Sequence, residues 1–261
     1  MYAQPQECNF VINFENWESM KYLADYFLVP RLTEAVAEFI EKDMEYFNPD
    51  HMEKYISEFQ RDISSDMSRR ILPKAAHTCA KMFQSIDVDS PLLMSIPPAM
   101  FRSIIRRIRF CEQQSPESKQ NTVLDACLLM ASYFDHVVED IDVFGFCCDR
   151  LHPHVWISHA KDESDDRIMD LALTWFRLMA KKGWYDENIG IGYKQYNNKF
   201  RGDIDHHVCY LADITNDYLR SKTPSPEMME KIIRDAPCHV VAKAVRESLD
   251  EARRSRESQD D

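Results

Sequence analysis

Two short segments concentrate side chains that bind metal ions in proteins. Residues 147–154 read CCDRLHPH, and residues 203–209 read DIDHHVC. Thiolates and imidazoles are zinc ligands, and a zinc-bound water beside an acid could support hydrolysis. The candidate ligands are Cys147, Cys148, His152, His154, Asp203, Asp205, His206, His207 and Cys209.

We nevertheless favour a purely structural role for both segments. No C-x-x-C pair occurs in the chain, and adjacent cysteines cannot easily reach one tetrahedral ion. We therefore expect core thiols beside a loop at 147–154 and an acid-rich helix start at 203–209, with no metal bound.

Other signals for catalysis are weak. Neither G-x-S-x-G nor H-E-x-x-H occurs, and the chain has only five glycines, too few to suggest phosphate-binding loops. Paired acidic residues such as Glu139-Asp140 usually lie on solvent-exposed faces or cap helices in an acidic chain. We expect no catalytic residue, no cofactor and no enzyme.

Charge and cysteine usage narrow the class of protein further. The net charge of −12 argues against a nucleic-acid partner. The longest nearly apolar stretch, 126–134, is too short to cross a bilayer, and the first ten residues do not resemble a signal peptide. Eight scattered cysteines and no N-x-S/T acceptor fit a reducing compartment, so we expect a cytoplasmic or nuclear protein away from membranes.

The elements that would position these residues are predicted to be amphipathic helices, because apolar residues recur three or four positions apart. Asn16 and Ser225 are predicted N-caps, and Gly183 a C-cap. A long loop is predicted over 184–202. The predicted buried stripes are Trp17–Phe27, Leu32–Ile40, Met52–Phe59, Ala76–Phe83 (after Pro73), Phe101–Ile108, Leu124–Phe134, Ile168–Met179 and Ile204–Tyr218.

This pattern predicts an all-α fold. The helices are 10 to 18 residues long with short joins, which favours stacked antiparallel helical hairpins. The run 9–14 (NFVINF) is the best strand candidate, so the fold has at most one short N-terminal strand.

Residues 15–32, ENWESMKYLADYFLVPRL, resemble the closing helices of BTB/POZ domains. In that family an Asn opens a helix reading roughly Leu-x-Leu-Ala-Asp-Tyr, and Val-Pro-x-Leu follows. The stretches 75–83, 90–97 and 115–126 are similar to the BACK region that commonly follows a BTB domain. The resemblance implies a BTB-like end over 1–45 and a BACK-like region over 46–135. The helical pattern predicts a further helical region over 136–252 with a long loop at 184–202, and the charged residues of 253–261 predict a disordered tail.

The resemblance also implies a function, that of a protein–protein interaction adaptor. Its partners would be other proteins, namely a cullin scaffold of a ubiquitin ligase and a client. The family's dimerisation segment would lie before this chain, so homodimerisation stays open. The candidate protein-binding residues are Tyr2, His51, Tyr55, Trp184, Tyr185 and Tyr193. The alternatives are a helical scaffold without a ligase and, less favoured, a metal-dependent hydrolase.

Overall fold

The computed structural model of the chain describes residues 11–108, 116–136, 141–184, 198–237 and 241, with the backbone alone for 116–122, 141 and 198–206. Helices are the only regular secondary structure in these ranges, which confirms the predicted all-α fold class. The α-helices are α1 (Trp17–Tyr26), α2 (Pro30–Asp43), α3 (Pro49–Phe59), α4 (Asp66–Lys81), α5 (Pro91–Ser95), α6 (Pro98–Arg107), α7 (Pro116–His136), α8 (Ile141–His159), α9 (Asp166–Lys181), α10 (Asn198–Ser221) and α11 (Pro226–Asp235).

Helices α1 to α6 form the first of two compact units, which comprises residues 1–86 and 90–107. Within it α1 packs on α2, α3 on α4 and α5, and α4 on α6. Trp17 contacts the rings of Tyr55 and Phe59, with centroids 5.1 and 5.8 Å away. Such aromatic pairs contribute roughly 0.5–1.5 kcal/mol each beyond their buried area, so this cluster anchors α1 to α3.

Helices α7 to α11 form the second unit, which comprises residues 87–89 and 108–261. Here α7 packs on α8 and α9, α10 packs on α8 and α9, and α11 packs on α9. Trp175 and Phe176 of α9 are fully buried, together with Phe134 of α7 and Phe144 of α8. This core sets α8 against α10, the two helices that carry the metal-binding residue types.

Several local predictions are confirmed. The Ser225 hydroxyl accepts a hydrogen bond from the Met228 amide at 3.1 Å and so caps α11. Gly183 ends α9 with a positive φ of 67°. The stripes in α3, α6 and α9 are buried as predicted.

Other local predictions are wrong. Residues 141–159 form one helix and no loop. Helix α4 begins at Asp66 and so includes Pro73, although Ala76, Cys79 and Phe83 of the stripe predicted after it are buried. Helix α10 begins at Asn198, inside the loop predicted over 184–202. Phe27 is exposed, because α1 ends at Tyr26 and the chain turns away from the core there.

The strand predicted over 9–14 is absent from its described residues, 11–14. The predicted tail over 253–261 lies outside the described residues. The division between the units falls within the region predicted as BACK-like, 46–135, and the family domains stay a prediction. Within the described residues, no helix combines the length and apolar character needed to span a membrane.

Candidate functional sites

The end of α1 in the first unit exposes a run of large apolar side chains. We call it the α1 apolar surface. Leu28 is 83% exposed, Tyr26 68% and Phe27 64%. The Tyr26 ring stacks on Tyr22 at 6.0 Å and meets the Phe27 ring edge-on at 4.9 Å, so the aromatic members adjoin one another. The surface consists of Tyr22, Leu23, Tyr26, Phe27, Leu28 and Val29.

The backbone at Leu28 is unusual. Its φ is +52°, in the left-handed region that favours glycine and that costs other residues about 1–2 kcal/mol. The turn is closed by the Val29 amide, which donates to the Ala24 carbonyl at 2.9 Å. The result is that a branched apolar side chain projects into solvent from a strained position.

Of the residues predicted to bind protein in the first unit, His51 and Tyr55 are described, and Tyr2 lies outside the described residues. Tyr55 is fully buried, and its hydroxyl donates a hydrogen bond to Asp43 at 2.8 Å. Burial is the main cause that raises the pKa of Tyr55, and the hydrogen bond to Asp43 raises this pKa further. His51 is partly buried, with Nδ1 2.7 Å from Asp43 Oδ2 and its ring stacked on Phe14 at 3.5 Å. Because Tyr55 is in the core, we place no partner contact there.

The predicted aromatic loop in the second unit is described only at Trp184, since Tyr185 and Tyr193 lie outside the described residues. Trp184 is 1% exposed, and its ring lies 4.6 Å from Phe144 and 6.2 Å from Phe134. The Trp184 side chain thus folds back over the helices of the second unit. Trp184 therefore stabilises the second unit and is not available as a surface anchor.

The two metal-binding segments meet inside the second unit. Cys148 and His152 are one helical turn apart on α8, so their side chains share a face. His207 projects from α10 toward them. All three are buried, and their potential ligand atoms lie within 4.8 Å of one another.

The two imidazoles of this group, which we call the Cys148 cluster, are held tightly. His152 Nδ1 and His207 Nδ1 are 3.0 Å apart. The centroid of the His152 ring lies 4.3 Å from that of Tyr210 and 4.9 Å from that of Trp175. These contacts fix the ring, so its orientation needs no further ordering when a ligand binds.

The Cys148 thiol is fully buried. Burial raises the pKa of Cys148 well above its usual value, and Cys147, Cys127 and Asp149 raise it further. A protonated buried thiol is a poor nucleophile. The raised pKa therefore does not favour the thiolate that covalent catalysis by Cys148 would need.

A cavity of about 360 Å³ opens beside the Cys148 cluster. His152 and Tyr210 form part of its wall, and the carboxylates of Asp149 and Asp213 also line it. Asp149 Oδ1 is 3.8 Å from His207 Nε2. The cluster is therefore buried yet adjacent to solvent and to acids.

The sequence alone indicated the two segments, 147–154 and 203–209, but did not predict that their side chains contact each other. The signal in 147–154 was the four-residue spacing of Cys148 and His152, which is meaningful only on a helix. Gly145 and Pro153 lie inside α8 and obscured the helical pattern. The third member, His207, is 55 residues further along the chain, and no local pattern reports such a contact.

Comparisons of the chain with protein-family models, with curated proteins and with solved structures returned no match. The likeness to BTB/POZ and BACK regions therefore rests on the residues quoted for it, and functional conclusions rest on the geometry of the two sites.

Proposed function

We propose that the chain is a protein–protein interaction adaptor whose recognition surface is the α1 apolar surface. The observation that carries the proposal is the exposure of adjoining aromatic and aliphatic side chains around Tyr26, Phe27 and Leu28. Single exposed apolar residues are ordinary, but adjoining ones are typical of binding surfaces. Tyrosine and phenylalanine are also enriched at interfaces.

The strained backbone supports the same proposal. A glycine at position 28 would relieve the strain, and Leu28 contributes little packing in return because 83% of its surface is exposed. Strained residues persist where they serve recognition or catalysis more often than elsewhere. A leucine that is both strained and exposed fits a residue that contacts a partner.

The partner on this proposal is a protein with an apolar contact surface. The resemblance of residues 15–32 to a BTB/POZ closing segment extends the proposal to a substrate adaptor of a cullin-RING ubiquitin ligase. A helical scaffold without a ligase is the alternative, and binding to a purified cullin distinguishes the two.

The test compares two substitutions of equally exposed residues in the first unit. Phe27 and Ile63 are both 64% exposed, and Ile63 lies outside the α1 apolar surface. The partner is first isolated by its binding to the wild-type chain and is then purified. Phe27→Ser should weaken the affinity of the chain for this partner by at least about 10-fold, as expected for an aromatic interface anchor. Ile63→Ser should leave the affinity within about twofold.

Two results would overturn the proposal. One is equal partner binding by both variants and the wild type. The other is a self-association of the purified chain, seen by sedimentation, that Phe27→Ser abolishes, since the surface would then join two copies of the chain.

A further inference from the structure

The Cys148 cluster combines one thiol with two imidazoles, a mixed sulfur and nitrogen set that suits zinc among the common biological metals. Asp149 and Asp213 line the adjoining cavity but are not in the set. An oxygen-only set would instead favour magnesium or calcium. The donor chemistry thus selects a borderline transition-metal ion.

The distances also fit such an ion. With zinc–nitrogen bonds of about 2.0–2.1 Å, two nitrogens at neighbouring tetrahedral positions lie about 3.3 Å apart. The Nδ1 atoms of His152 and His207 are 3.0 Å apart, and the Cys148 sulfur lies within 4.8 Å of the histidine ligand atoms. Side-chain shifts of a few tenths of an ångström for the nitrogens and about 1 Å for the sulfur would complete the set.

The surroundings match those of a metal-binding histidine. A ligating imidazole commonly directs its other ring nitrogen to a carboxylate, which fixes the tautomer. If His207 ligates through Nδ1, its Nε2 lies 3.8 Å from Asp149 Oδ1, and a small rotation of the exposed Asp149 side chain would bring the carboxylate within hydrogen-bond distance. The His152 ring contacts the rings of Trp175 and Tyr210, which restrict its orientation.

The structure assigns a zinc-binding site to Cys148, His152 and His207 of the second unit. The ion bonds to the Cys148 sulfur and to both Nδ1 atoms, and a water from the cavity takes the fourth position. Cys148 releases its proton to solvent when it binds the ion. One of the two histidines donates the Nδ1–Nδ1 hydrogen bond in the absence of the ion, and in the zinc-bound form this histidine carries its proton on Nε2. The bound ion cross-links α8 to α10.

This inference is independent of the proposed adaptor function, because it concerns other residues of another unit. It differs from the expectation from sequence that the chain binds no metal, and metal analysis decides between the two. Its test needs the full chain without a polyhistidine tag, since a tag would itself bind zinc.

The first measurement is elemental analysis, followed by titration of the metal-stripped chain with zinc and cobalt(II). We expect one ion per chain and a thiolate-to-cobalt charge-transfer band. Cys148→Ala and His207→Gln should each weaken zinc binding by more than about 100-fold, and Asp149→Asn by about 10- to 100-fold.

Two matched controls lie on the same helix. Cys147 is as buried as Cys148 and adjacent to it, and His159 is 2% exposed with Nε2 3.2 Å from Asp217. Cys147→Ala and His159→Gln should keep the ion. Circular dichroism checks that all the variants are folded. The assignment would be overturned if the folded control variants lost zinc to the same degree as the folded ligand variants.

A measurement on the unmodified chain covers the case in which the variants do not fold. Zinc should protect Cys148 from alkylation in mild denaturant, while the exposed Cys209 reacts with and without the ion. A folded wild-type chain that carries no zinc, takes up no cobalt and shows no protection of Cys148 would overturn the inference.

Discussion

The ends of α1 and α9 use the same backbone turn with different residues. In each, a residue at positive φ follows the helix, and the next amide donates to the carbonyl five residues back at 2.9 Å. At α9 the turn residue is Gly183 and the next side chain, Trp184, is buried. At α1 the turn residue is Leu28 and the next side chain, Val29, is 40% exposed.

The difference shows which end serves stability. Glycine adopts positive φ without a steric penalty, and the turn at α9 places an indole in the core. At α1 the positive φ of Leu28 has an energetic cost, and the turn leaves the side chains of Leu28 and Val29 exposed. The same motif thus closes a core in one unit and displays an apolar surface in the other.

The largest expected effect separates the residues that follow the two turns. Trp184→Ala should destabilise the second unit by about 3–5 kcal/mol, because a buried indole is replaced by a cavity. Val29→Ala should cost less than about 0.5 kcal/mol, as is usual at the surface. Urea denaturation followed by circular dichroism measures both, and similar costs would break the comparison.

The next effect concerns the turn residue of α9. Gly183→Leu should destabilise the chain by about 1–2 kcal/mol, because leucine has a backbone penalty at this positive φ. A Cβ at this position meets no atom within 4 Å, so the first atom of the new side chain adds no steric conflict. A denaturation midpoint unchanged by Gly183→Leu would show that the positive φ carries no penalty here.

The smallest effect is the reverse change at α1. Leu28→Gly should stabilise the first unit by about 0.5–1 kcal/mol, since relief of the backbone penalty exceeds the loss of the little packing that Leu28 has. The same variant should lose partner binding. Leu28→Asn, which tolerates positive φ, should act similarly on the denaturation midpoint. A destabilised Leu28→Gly would mean that Leu28 serves the fold.

Local patterns predicted much of the fold and little of the sites. The α9 stripe, the Gly183 cap and the Ser225 cap depend on near neighbours in sequence, so they could be read directly. The exposure of Phe27 could not, because it follows from a leucine that adopts a glycine-like conformation. The Cys148 cluster depends on a helix that Gly145 and Pro153 disguise and on His207 from a distant helix.

The most direct test of the account is site-specific photo-crosslinking in cells of the source organism. A photoreactive phenylalanine analogue would replace Tyr26 in one full-length chain and Ile63 in another. The account predicts a discrete crosslinked partner protein from position 26, lost on adding Phe27→Ser, and none from position 63. Equal crosslinking at both positions, or none at position 26, would contradict the proposal that the α1 apolar surface recognises a partner.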